Sequence, residues 1–190
     1  MVESYGTLNA MSDAQVDHVG HLAKEMGVAG EEAFALVDGF SKMPGETMET
    51  AAAAADYTNS LAKANGLAPG KITRDMAKNT EAMALFSGKG AQGFAKAAVE
   101  LHKMGVDIAT ASKLSEGLLN FEDSINKQME ASVLLGREIN LDKARELSLS
   151  GDLEGATKEV LKNIGGQAEF EQMNVVQKKA LADATGLTVE

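Results

Sequence analysis

Apolar residues recur every three or four positions along most of the chain: Val16, Val19, Leu22, Ala23, Met26, then Ala33, Leu36, Val37, Phe40, and later Phe94, Ala97, Leu101, Met104. That spacing places them on one face of an α-helix, and no stretch alternates as a half-buried strand does. The pattern predicts an all-α protein, a multi-helix bundle or irregular helical array of about seven to nine helices. Ser12 with Gln15 three residues on forms a capping box, and Asn140 and Asp152 precede further periodic stretches as N-caps. Gly27-Val28, Gly66-Leu67, Gly105-Val106 and Gly186-Leu187 each put glycine after a periodic run and an apolar residue next, which is the sequence form of a Schellman C-cap.

The longest uninterrupted pattern runs from Ile108 to Ile139. Ala111, Leu114, Leu118, Phe121, Ile125, Leu135 and Ile139 fall on its a and d positions, with Gln128 and Ser132 on the same seam. This is a candidate self-association seam, carried either by one long helix around 108–139 or by two helices divided near Gly117 and Asn120. Breakers cluster at Ala68-Pro69-Gly70-Lys71 and at Ser87-Gly88-Lys89-Gly90. The first cluster predicts a boundary between an acidic N-terminal helical region, 1–70, and a second helical region, 71–190. The second predicts a hinge at Gly88, Gly90 and Gly93. Gly27, Gly66 and Gly105 are spaced 39 residues apart, the length of a helical repeat, and Leu36, Gly39 and Phe40 are echoed by Leu114, Gly117 and Leu118, although the segment after Gly66 lacks that echo. Leu187-Thr188-Val189-Glu190 has the form of a helix start with Thr188 as N-cap, so the natural chain is expected to continue.

Charge narrows the range of partners. The net charge is −10, and residues 1–70 hold 10 acids against 3 bases with no basic stripe anywhere. Such a surface repels phosphate, so no direct nucleic-acid binding is expected. The 190 residues include no Cys, which removes disulfides, thiol nucleophiles and Cys-ligated metals. The start Met1-Val2-Glu3-Ser4-Tyr5 lacks the basic and apolar regions of a signal peptide, and the longest wholly apolar run, Ala51 to Ala55, is far too short to span a bilayer.

Candidate chemistry is sparse. Gly88-Lys89-Gly90-Ala91-Gln92-Gly93 matches GxGxxG, but the fingerprint needs a strand before it, and the residues upstream are helically spaced. Nucleotide binding there is the least favoured alternative. The small and apolar residues of 84–99, with Lys89 and Lys96, suit a mobile joint better than insertion into a membrane interface. His18 and His21 lie near Asp17 and Glu25, a spacing common by chance that a solvated helix surface explains better than a metal site does. Acids are too frequent for any pair to point to acid–base work, and no GxSxG elbow occurs. The methionines fall mostly on apolar stripes, where core filling explains them. No catalytic, cofactor or metal residue is expected.

From Phe121 onward the sequence resembles a segment of tail tape measure proteins of tailed bacteriophages. The likeness is carried mainly by Gly136-Arg137-Glu138-Ile139-Asn140-Leu141-Asp142-Lys143-Ala144-Arg145 and by Met173-Asn174-Val175-Val176-Gln177-Lys178-Lys179-Ala180-Leu181-Ala182. The resemblance implies a helical virion protein that runs along the tail lumen, sets tail length during assembly and leaves during DNA ejection. It implies partners among copies of itself and tail-tube or baseplate hub proteins, with membrane contact confined to ejection. It implies no enzyme activity and no cofactor. A continuous helical ruler of this length would span roughly 285 Å at 1.5 Å per residue. Nineteen glycines argue instead for a folded or hinged section. A helical-repeat adaptor that binds other proteins is the alternative.

Overall fold

Glycine and asparagine punctuate this chain into eleven α-helices among the described residues, more than the periodicity alone predicts. The structure is a computed structural model and describes residues 12–165 and 172–185. Within these residues the fold is all-α, with no strand. The chain divides into two units, Met1–Ile108 and Ala109–Glu190.

The first unit contains α1 (Asp13–Met26), α2 (Gly30–Ser41), α3 (Met48–Ala64), α4 (Pro69–Lys78), α5 (Thr80–Leu85), a short 3-10 turn at Ser87–Lys89, and α6 (Gly90–Lys103). The α1 start is the expected capping box: the Ser12 hydroxyl accepts from the Gln15 N–H, and the Gln15 side chain accepts from the Ser12 N–H. Three of the expected glycine caps are formed, because the N–H groups of Val28, Leu67 and Val106 donate back to Ala23, Ala62 and Leu101 at 3.0 Å. The fourth, at Gly186, lies outside the described residues, as does Thr188. Helix α3 packs against α1, α2, α4 and α6. Ala51, Ala54, Ala55 and Ala62 are fully buried on it, and side chains this small let several neighbours approach one helix closely. Around them Leu36, Val37, Phe40, Ile72, Met76 and Val99 complete the core.

The breaker cluster at 68–71 begins a helix inside this unit and does not divide the chain there. Pro69 occupies the first turn of α4, where its missing N–H costs nothing. Gly70 sits so close to α1 that a Cβ would stand 2.6 Å from the Met26 carbonyl oxygen. Only glycine permits that approach. Asn79 separates α4 from α5 by donating to the Asp75 carbonyl and carboxylate, which explains one helix more than the apolar spacing suggests.

The second unit contains most of α7 (Ile108–Leu119), then α8 (Phe121–Leu135), α9 (Asp142–Leu149), α10 (Leu153–Ile164) and α11 (Val175–Thr185). The long helix over 108–139 is therefore two helices. Asn120 leaves helical geometry at φ −79° and ψ 79°, and its carbonyl accepts the Ser124 N–H to begin α8. Asp152 caps α10 by accepting from the Gly155 N–H. Asn140 is one step removed from the expected N-cap, because Leu141 holds that position and the Asn140 side chain accepts from the Asp142 N–H. Leu114, Leu118, Ile139, Leu141, Val160, Ile164 and Leu181 form the core of this unit, and α8 packs along α11.

Candidate functional site

Helix α8 turns its polar seam residues inward. Ser124 and Gln128 face Arg145 of α9, whose guanidinium is 4% exposed and reaches three acceptors. Nε donates to the Ser124 hydroxyl at 3.1 Å, Nη2 to Gln128 Oε1 at 2.6 Å, and Nη1 to Asp142 Oδ1 at 2.8 Å. A planar, multiply donating group suits this task, since each bond to a charged donor is worth about 1.5–3 kcal/mol when buried. Gln128 Oε1 also accepts the Leu141 N–H, and the Ser132 hydroxyl accepts the Ile139 N–H. The polar interruptions of the heptad thus fasten the 136–145 segment onto α8.

The seam residues separate accordingly. Ala111 is buried, Leu114, Leu118 and Ile139 lie in the core of the second unit, and Leu135 is packed against that core. Phe121 and Ile125 are 46% and 44% exposed. Two further apolar residues outside the heptad register, Met129 and Val133, continue the exposed row at 55% and 81%. Heptad counting missed them because the row advances by four residues at each step. At the end of α8, Gln177 of α11 donates to the Leu134 carbonyl, and the adjacent Val175 and Val176 are also exposed. The result is an apolar ridge on α8 without a covering element among the described residues.

The glycine segment in the first unit is tied down at its helix start. Gly90 has φ +69° and α6 begins there, with the Ala91 N–H donating to Glu46 Oε1 at 2.9 Å. The Glu46 carboxyl is held below its ordinary pKa first by the Thr50 hydroxyl and then by that N–H. A carboxylate already occupies the anion position at the α6 N-terminus, where the fingerprint reading would put a phosphate. Gly88 lies in the 3-10 turn, and at Gly93 a Cβ would stand 2.4 Å from the Lys89 Cβ.

Two of the three histidines pair with carboxylates across helices. His18 meets Asp56 at 2.8 Å on the surface. His102 meets Asp75 at 2.9 Å in a buried position, and the same carboxylate oxygen accepts the Ile108 N–H. No group of three or more His, Asp or Glu placed to hold a metal ion occurs among the described residues. A hollow of about 430 Å³ beside Phe34, Gly39 and Thr80 includes Asp38 and Lys42, which pair with each other at 2.7 Å. Comparison of the chain with models of protein families, with curated proteins and with solved structures finds no match.

Proposed function

We propose that this chain is a structural, non-enzymatic element that works by contact, as a section of a phage tail tape measure protein. In that role it acts in tail assembly, length determination and DNA ejection, with tail-tube or hub proteins and further copies as partners. Its place is the tail lumen of the virion, and the host cytoplasm during assembly. The observation that carries this reading is the bare ridge of α8, since exposed apolar rows on a helix mark contact surfaces. The surplus of acids keeps such a protein from adhering to the genome it shares the tail with. Among the described residues no helix is long and apolar enough to cross a membrane, so contact with one would be peripheral.

An in-frame deletion of residues 109–190 from the encoding genome tests the assignment. Particles with shortened tails, or heads without tails, are the expected result under the electron microscope. Tails of normal length and number would overturn it and favour the helical adaptor, for which the same ridge would serve a cellular partner.

A further inference from the structure

Phe121, Ile125, Met129 and Val133 follow one another at intervals of four on α8, all exposed. Rows spaced in this way form ridges inclined to the helix axis, and two such ridges interdigitate when the helices cross at about −50°. The ridge therefore has the form that receives another helix. The next row outward on α8 is Glu122, Asn126 and Glu130, all exposed. The helix has a single cation, Lys127, already bound to Asp123 at 2.6 Å. Acids thus flank the apolar row, with no positive charge free on this helix to answer them.

We propose that this ridge docks a basic amphipathic helix of another protein. The partner's apolar row lies beside Phe121 to Val133, and its Lys or Arg side chains reach Glu122 and Glu130. The inference rests on the reading that this unit acts by contact, and it adds the chemistry of what is contacted. Charge disfavours a second copy as the occupant. An antiparallel twofold pair would set Phe121 opposite Val133 and Ile125 opposite Met129, which fits in size. It would also bring two acidic rows to one interface between chains of net charge −10. An anionic lipid surface meets the same repulsion.

The test uses the full chain and two labelled synthetic helical peptides, read by fluorescence anisotropy. One carries leucines at intervals of four with lysines on the adjoining row, and its twin has glutamates in place of the lysines. The lysine peptide is expected to bind, and the glutamate twin to bind at least about tenfold more weakly. Met129→Glu should weaken the lysine peptide at least about tenfold, whereas Glu31→Lys, at an exposed position of α2, should change it less than about twofold. Glu130→Lys should shift preference toward the glutamate twin. Val133→Glu, at the most exposed ridge position, repeats the Met129 test where folding is not at risk, and unchanged thermal melting verifies both variants.

Equal binding of the twins overturns the proposal, as does a Glu31→Lys loss as large as that of Met129→Glu. A dimer seen in sedimentation and dissolved by Met129→Glu would replace the basic helix with a second copy. Normal tails with peptide binding intact would remove the tail assignment and leave the ridge. Shortened tails without peptide binding would do the opposite.

Discussion

The two units place their polar and apolar side chains differently. Of nine large apolar side chains left in solvent among the described residues, Leu85 alone lies in the first unit. Of ten buried polar or charged side chains, seven lie in the second, including Arg145. The first unit is held by small and apolar residues packed around α3, and it leaves little apolar surface uncovered. The second is fastened internally by hydrogen bonds, which leaves apolar positions on α8 for contact outside the unit. A helical unit that closes on itself supports a structure, while one that leaves an apolar ridge bare is suited to join it to something else.

Substitutions can break this contrast or sharpen it. Phe40→Ala empties a fully buried site in the first unit and should cost about 3–5 kcal/mol, the range for large core truncations. Chemical denaturation followed by circular dichroism measures it, and a loss below that range would mean the first unit is not held by apolar packing. Arg145→Ala should cost about 2–3 kcal/mol, because Ser124 and Gln128 lose a charged donor inside the second unit. Hydrogen exchange should then show lost protection over 121–149. Arg145→Ala without effect would erase the difference between the units.

Smaller effects follow at the surface. The Glu46 carboxyl has a lowered pKa in the folded chain, so its contribution to stability is present above the ordinary value of 4.5. It is lost as pH falls through the lower folded value. Glu46→Gln should remove that acid-side dependence and cost at most about 0.3–1 kcal/mol at neutral pH and low salt, the range for a solvent-screened carboxylate at a helix N-terminus. Thermal melting across an acid pH series decides this. Val133→Lys should change stability by less than about 0.5 kcal/mol, since the side chain packs on little. The same substitution should reduce binding of a hydrophobic dye, and Leu85→Lys in the first unit provides the control.

Much of the fold was legible in local signals. The Ser12 box, the Asp152 cap and the glycines at 27, 66 and 105 work through hydrogen bonds within a few residues, so nearby sequence is sufficient to read them. The division at Asn120 was among those the long seam offered, whereas the interruption at Asn79 was harder to place. Asn79 breaks its helix by bonding to Asp75, a local choice that apolar periodicity does not register. The division at Ile108 depends on which helices pack together, whereas the Pro69-Gly70 signal marks only a helix start. At the candidate site, heptad counting found Phe121 and Ile125 and put Gln128 and Ser132 on the same seam without a role for them. Their role depends on Arg145, which comes from a separate helix and is brought to α8 only by folding.

The arrangement around Arg145 also limits what sequence drift can do at that position. Its three acceptors lie on two helices and in different directions, and a flat fork meets them together. Lysine would keep the positive charge, yet an ammonium on a flexible stem cannot reproduce that spread of contacts. Exchanging the two bases, harmless on most protein surfaces, would here detach one strut of the unit from the other.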